Sequence, residues 1–227
     1  MSKIVTSFKL KRAACLIVFI TSTLQTFSQD TVKPVYTRNI VWTTPVARST
    51  NINGLAVGFM ATAWMHADSL RIRGCNLEIS PFGFFGGIYA IIGTIASPFT
   101  KDTVDAGDLG SNKVFTEEYK FSPTTIKGVS ISFGGLSRDT KLSGLGINGV
   151  VGFSNQVNGF ELTGLMNLHY KFRGVMIAGL RNKVTTGSGL QIGLINTCRN
   201  GKVVQLGLIN RIGKRITPLV NFSFQEG

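Results

Sequence analysis

The sequence predicts an all-β fold, an antiparallel meander of roughly eight to ten strands that is closed or partly closed as a barrel. Three observations support this prediction. A short glycine-containing unit recurs along the chain, an apolar segment rich in strand-forming residues precedes each copy, and turn-forming runs separate the copies. The same repeat would also suit a β-solenoid, in which neighbouring strands are parallel, and this fold is the alternative.

The recurring unit has the pattern glycine, apolar, any residue, asparagine. Its five copies are Gly152–Asn155, Gly164–Asn167, Gly179–Asn182, Gly193–Asn196 and Gly207–Asn210, at successive offsets of 12, 15, 14 and 14 residues. Offsets that vary favour a meander, because lengthening a turn costs little free energy. The runs 155–159, 182–189, 198–202 and 211–215 are typical of turns, and Asn200-Gly201 is the strongest hairpin signal among them.

The five repeat glycines, Gly152, Gly164, Gly179, Gly193 and Gly207, are predicted to be structural. If neighbouring strands align them, they form a shallow trench across one face of the sheet, where another segment approaches the backbone closely. We expect the apolar segment 82–97 to lie in that trench. The alternative is that the glycines mark bulges or sheet curvature.

Further strands are predicted at 53–64, 69–80, 128–135, 145–153 and 216–224, where apolar residues alternate or recur. Residues 81–99 interrupt this pattern as an uncharged apolar insertion between Pro81 and Pro98. A helix over 82–97 is predicted there, and it is too short to cross a bilayer perpendicularly, which takes about 20 residues. Residues 100–125 are predicted to form a polar loop.

The N-terminus has the features of a secretory signal peptide. Lys3, Lys9, Lys11 and Arg12 precede an apolar run, and small residues follow at Thr26 and Ser28, which predicts cleavage after residue 28. Residues 29–227 then form a single β-repeat domain. The chain is therefore expected to be exported, to the outer membrane or cell surface or, alternatively, to the periplasm or medium.

The mature chain would carry 20 basic and 11 acidic residues, and no Asp or Glu lies between Glu161 and Glu226. A surface this basic attracts polyanions, which for an exported protein are lipid phosphates and charged glycans rather than nucleic acid. The candidate polyanion-contacting residues are Lys171, Arg173, Lys183, Arg199, Lys202, Arg211, Lys214 and Arg215. The alternative is that they only solubilise turns.

No catalytic, cofactor-binding or metal-binding constellation is recognisable. His66 and His169 lack a metal-ligand spacing, Asp102, Asp105 and Asp108 do not alternate as calcium ligands do, and no serine sits in a nucleophile motif. We therefore predict a protein without enzymatic activity. An enzyme acting on envelope polymers would instead depend on His169, Glu117 or Glu118. Cys75 and Cys198 could pair after export, which spacing alone does not decide.

The stretches GLQIGLIN (189–196) and VVQLGLIN (203–210), together with NGLAVGF (53–59), resemble a bacterial surface-repeat family that repeats N-G-x-Q-I-G-L-x-N. The resemblance implies an exported, envelope-associated β protein of unassigned molecular activity, and it transfers no site residue. Two functions follow as expectations. The first is a non-enzymatic outer-membrane or surface protein. The second is a soluble periplasmic or secreted β module that binds a lipid, glycan or protein.

Overall fold

The structure, a computed structural model, describes residues 34–59, 68–81, 123–136 and 139–224. Ten β-strands lie in these ranges, so the all-β prediction is confirmed there. They are β1 (Tyr36–Thr44), β2 (Thr50–Phe59), β3 (Leu70–Ile79), β4 (Thr124–Phe133), β5 (Thr140–Asn148), β6 (Val151–Thr163), β7 (Met166–Ala178), β8 (Arg181–Ile192), β9 (Ile195–Ile212) and β10 (Arg215–Ser223). All belong to one compact unit, Val35–Gly227.

The ten strands form one sheet in chain order. Each strand from β1 to β8 pairs in parallel with the next, and only β10 is antiparallel to its neighbour β9. Parallel pairing requires the chain to return to the same end before each new strand. Successive strands therefore stack as coils of a β-solenoid, and β10 folds back along the last coil.

The predicted antiparallel meander is thus wrong, as is the closed or partly closed barrel, and the alternative solenoid is the fold. The repeat spacing explains the difference. Gly152 does not stack with the other repeat glycines, because its register partner in β7 is Asn167. Gly164 instead stacks against Gly149, 15 residues earlier. The corrected offsets are 15, 15, 14 and 14, the nearly constant period of stacked coils.

The predicted turns differ in the same way. Asn200 and Gly201 lie inside β9, where they pair in parallel with Thr186 and Gly187, so the predicted hairpin is wrong. The runs 155–159 and 182–189 lie within β6 and β8. The run 211–215 does connect β9 to the antiparallel β10, and the predicted strands 69–80 and 216–224 match β3 and β10.

An apolar column runs through the interior of most coils. Its members are register partners in successive strands, and each is at most 3% exposed. They are Ile52, Ile72, Ile126, Leu142, Val157 and Phe172. Burying a large apolar side chain contributes roughly 1.5–3 kcal/mol, so this column is a main source of stability.

A buried asparagine ladder accompanies it in the C-terminal coils. Asn167 donates from Nδ2 to Oδ1 of Asn182 at 3.0 Å, and Asn182 and Asn196 donate in the same way to Asn196 and Asn210, both at 2.8 Å. Asn182 also donates to the backbone oxygen of Ile192. Stacking identical amides satisfies buried polar groups only when each coil offers the same residue at the same point. This requirement explains the repeated asparagine.

The outward side of the same sheet carries an apolar strip two residues wide, which we define by two columns of register partners. The first column contains Val41, Leu55, Cys75, Val129, Leu145, Phe160, Val175, Leu190 and Val204, and Phe222 of β10 continues it. The second contains Val57, Leu77, Ile131, Ile147, Leu162, Ile177, Ile192 and Leu206, and Val220 continues it.

Several predicted elements lie outside the described residues. These are the signal peptide 1–28, the helix 82–97 and most of the loop 100–125. The loop prediction ends too late, since β4 already begins at Thr124. In the ranges that the structure describes, no helix is both long and apolar enough to cross a membrane.

Candidate functional site

A pattern of polar, apolar, polar and glycine residues recurs in seven strands, from β2 to β8. RIRG (71–74) and KFRG (171–174) are two copies. Side chains in a strand alternate between its two sides. Because the apolar residue of each copy points into the core, the two polar residues beside it point outward. Stacking of the coils turns these pairs into two continuous outward columns.

The two columns together form a basic strip. One runs Thr37, Asn51, Arg71, Thr125, Lys141, Gln156, Lys171, Thr186 and Asn200, and the other runs Asn39, Asn53, Arg73, Lys127, Ser143, Asn158, Arg173, Ser188 and Lys202. Seven members are cationic, and from β1 to β9 neither column contains an Asp or Glu. The uncharged members are all amides or hydroxyls, which are hydrogen-bonding groups.

The glycine after each polar pair holds the coils at close distance. Gly174 has φ +129°, a conformation that side-chain-bearing residues rarely adopt, and a Cβ placed there would collide with the carbonyl oxygen of Gly159 in the preceding coil. Gly74 stands in the same relation to Gly54. The column thereby keeps neighbouring strands at the usual sheet spacing of about 4.8 Å. Cations in adjacent coils are correspondingly close together.

Two shallow grooves lie on this strip. The larger has a volume of about 760 Å³, and its lining includes Lys171, Arg173 and Lys202 with the polar residues around them. The smaller has a volume of about 250 Å³ and is lined by Arg71, Arg73 and Lys127, with Ile72 and Thr125. The cations of the strip therefore form two clusters, separated by the neutral β6 pair Gln156 and Asn158.

Acidic residues do not counterbalance these clusters within the strip. The described ranges contain four of them, and two, Glu78 and Glu161, are buried in the interior. The other two, Asp68 and Asp139, precede β3 and β5. The strip is therefore a region of uncompensated positive charge at close spacing, which attracts anions with several charged groups.

Only some of the predicted polyanion-contacting residues lie here. The structure brings Lys171, Arg173 and Lys202 together in the larger groove. Lys183 lies in a different column, beside Leu168 and Thr197. Arg199 is exposed outside the paired part of β9, and Arg211, Lys214 and Arg215 lie at or beside the turn between β9 and β10. Sequence reasoning missed Arg71, Arg73, Lys127 and Lys141.

The predicted repeat glycines also separate into two groups. Gly164, Gly179, Gly193 and Gly207 do stack from coil to coil, as the trench hypothesis requires. The first three lie between strands rather than at strand centres, and Gly207 lies within β9. Gly152 belongs to the asparagine column, where an added Cβ would meet the side chains of Asn167, Glu161 and Asn148. The segment expected to fill the trench is outside the described residues.

His169 belongs to a buried polar cluster that superficially resembles a catalytic triad. Its Nδ1 lies 2.6 Å from Oγ of Ser154, and its Nε2 lies 2.6 Å from Oε2 of Glu161, a close contact without hydrogen-bond alignment. Glu161 also accepts from Asn148 Nδ2 at 2.7 Å. Ser154, His169 and Glu161 are at most 1% exposed. A substrate cannot reach this serine, so the cluster has a structural role. Glu117 and Glu118 lie outside the described residues.

Cys75 and Cys198 are both free thiols. Cys75 is half-buried in the apolar strip, whereas Cys198 is fully buried and its Sγ lies 3.1 Å from the backbone oxygen of Asn200. Within the described ranges, no three or more His, Cys, Asp or Glu side chains are grouped to hold a metal ion.

Comparison with known proteins adds no identification. No protein-family model matches the chain, and no curated protein and no solved structure matches it significantly. The resemblance to the surface-repeat family therefore stays a prediction.

Proposed function

We propose that this chain is a non-enzymatic, exported envelope protein of the outer membrane or cell surface, whose basic strip binds polyanions. The observation that carries the proposal is the strip itself. Seven Lys and Arg side chains occupy two neighbouring columns across seven coils, and no carboxylate shares those columns. Lipid phosphates and charged glycans are the polyanions that an exported protein meets.

The spacing of the charges supports a ligand with several anionic groups. The smaller groove and the larger groove are centred about three coils apart, or roughly 14 Å at the usual strand separation. A single phosphate reaches one cluster, whereas a chain of phosphate or carboxylate groups reaches both. Amides and hydroxyls between the clusters, such as Gln156 and Asn158, supply further hydrogen bonds to sugar or headgroup oxygens.

The absence of enzymatic activity is part of the same proposal. The one serine–histidine–glutamate cluster among the described residues is enclosed by the core, so its hydroxyl is not available to attack a substrate. Both grooves are lined by cations and neutral polar groups, and the carboxylates and histidines that serve most often as general acids and bases are not among them. Such a lining suits binding rather than bond cleavage.

A charge-matched pair of triple variants tests the proposal. Lys171→Gln/Arg173→Gln/Lys202→Gln removes three charges from the strip, and Arg199→Gln/Lys214→Gln/Arg215→Gln removes three charges elsewhere. If each cation near an anionic surface contributes about 1 kcal/mol, the strip variant should bind a soluble polyanion such as dextran sulfate roughly 100-fold more weakly at low ionic strength. The control should change binding much less.

The salt dependence of binding gives a second readout. Loss of ion contacts should flatten the fall of log K with log salt in the strip variant. Equal weakening in both variants would mean that net charge alone attracts the polyanion, and would contradict a specific strip. Cell fractionation with protease treatment of intact cells tests the location. Recovery in the soluble periplasm would favour the periplasmic module instead.

A further inference from the structure

The apolar strip is unusual for the outward side of a soluble protein. It continues through all ten strands, since Phe222 and Val220 of β10 lie opposite Val204 and Leu206. Nine strand spacings of about 4.8 Å make it roughly 43 Å long. With a width near 10 Å, its area is roughly 400 Å², at the size where an exposed apolar patch on a monomer marks an interaction site.

The side chains of this strip remain partly open to solvent. Ile131, Leu162 and Leu206 in the second column are 38–42% exposed, and the β10 residues Val220 and Phe222 are 50–52% exposed. Their inward neighbours differ in kind, because Gln191 and Gln205 are fully buried between outward apolar residues. The arrangement therefore places apolar groups outside and amides inside, which the core does not require.

The basic strip adjoins the apolar strip along its whole length. Only the glycine column separates Arg73 from Cys75, Lys127 from Val129 and Arg173 from Val175. This combination is what an anionic bilayer surface recognises. Apolar side chains enter the boundary between headgroups and acyl chains, and flanking Lys and Arg reach the lipid phosphates.

We propose that the apolar strip docks onto an anionic lipid bilayer, with Arg73, Lys127, Arg173 and Lys202 at the level of the phosphates. This inference rests on the proposed anion binding by the basic strip and names its source as a lipid surface. A second copy of the chain fits less well. Two strips facing each other would bury roughly 800 Å² in total, below the roughly 1,200 Å² of specific interfaces, and would bring cationic columns towards one another.

Vesicle flotation with matched variants tests the inference. Ile131→Thr/Leu162→Thr/Leu206→Thr removes apolar groups from the strip while keeping a strand-forming residue. Leu194→Thr/Leu208→Thr/Ile209→Thr is the control, at residues that are 46–61% exposed but lie outside the strip. We expect the wild-type protein to bind phosphatidylglycerol-containing vesicles, the strip variant to bind at least tenfold more weakly, and the control to bind as wild type.

A probe in the unmodified strip removes any dependence on the folding of variants. A polarity-sensitive fluorophore on Cys75, in a Cys15→Ser chain, should shift to shorter wavelength when anionic vesicles are added. Unchanged emission together with binding, equal loss in both triple variants, or strip-dependent dimers that ignore vesicles would each overturn the inference.

The two proposals fail separately. If dextran sulfate is bound but vesicles are not, the lipid inference is wrong and the proposed anion binding stands. If the protein ignores dextran sulfate yet binds vesicles through the apolar strip, the proposed anion binding is wrong and the docking surface stands.

Discussion

The N-terminal strands β1–β5 and the C-terminal strands β6–β9 build the same solenoid with different connections. In the N-terminal part, register partners lie far apart in sequence, such as Thr50 with Leu70 and Leu70 with Thr124. In the C-terminal part they follow at nearly constant steps, as Gly159, Gly174 and Gly189 do. Both parts nevertheless continue the glycine column, the basic strip and the apolar strip. The outer pattern of the coils is therefore independent of what connects them.

The interiors of the two parts do differ. The C-terminal coils contain the asparagine ladder and a second amide contact, in which Gln205 donates to Gln191 at 2.7 Å. In β3 and β4 the equivalent interior column contains Asn76, which donates to Oγ of Ser130 at 3.2 Å. An uninterrupted ladder needs coils of nearly equal length. Stacked amides are thus a property of regular coils, whereas apolar packing tolerates long connections.

The glycine column should give the largest effect, and the same effect in both parts. Gly74→Ala and Gly174→Ala each place a Cβ against a carbonyl oxygen of the neighbouring coil at φ near +130°. We expect each to lower the free energy of unfolding by about 3 kcal/mol or more. Urea unfolding measures the loss.

The matched control for these two variants is Gly146→Ala. Gly146 lacks a positive φ, and its added Cβ would meet side-chain atoms of Leu142 and Glu161 instead of backbone. A smaller loss is expected because side chains adjust more readily. If Gly74→Ala were tolerated while Gly174→Ala was not, the two parts would differ in coil stacking as well as in connections.

The asparagine ladder should give an intermediate effect that is confined to the C-terminal part. Asn182→Ala removes the donor to Asn196 and the acceptor of Asn167, and it leaves buried polar partners unsatisfied. We expect a loss of about 2 kcal/mol. Asn53→Ala is the control from the N-terminal part, where Asn53 donates to Asn39 at the surface, and it should cost about 0.5 kcal/mol or less. Similar shifts in melting temperature for both would refute a special role for the ladder.

The sequence was sufficient to predict strands, but it misled about which side of each strand is buried. In GLQIGLIN, Leu190 and Ile192 point outward, whereas Gln191 is fully buried. An amide becomes acceptable in the core only because the next coil places a matching amide beside it. That compensation depends on the stacking register, and a single strand does not display it. The parallel register was in turn hidden by aligning Gly152 with the later repeat glycines.

The candidate site was predictable in part. Lys171, Arg173 and Lys202 were named because residues 162–225 lack acidic residues, but this criterion ignores Arg71, Arg73 and Lys127. These cations are up to 131 residues from Lys202 in sequence, and only coil stacking brings them into one strip. Aligning the seven copies of the polar, apolar, polar and glycine pattern would have placed them in the same columns.

The two cysteines should give the smallest effect on stability and a clear contrast in reactivity. Burial raises the pKa of Cys198 to about 12 from its ordinary value of 9.0, and the raised pKa keeps the thiol protonated. Cys75 is half-buried on the outward strip of the N-terminal part. At pH 8, iodoacetamide should alkylate Cys75 while Cys198 stays unmodified until the protein unfolds, as peptide mapping by mass spectrometry would show. Because the folded pKa of Cys198 exceeds the unfolded one, this thiol should leave stability unchanged below about pH 9 and lower it between pH 9 and 12. Equal alkylation rates in the folded protein would show that the C-terminal interior opens as readily as the outward strip, and would remove the proposed distinction between the two parts.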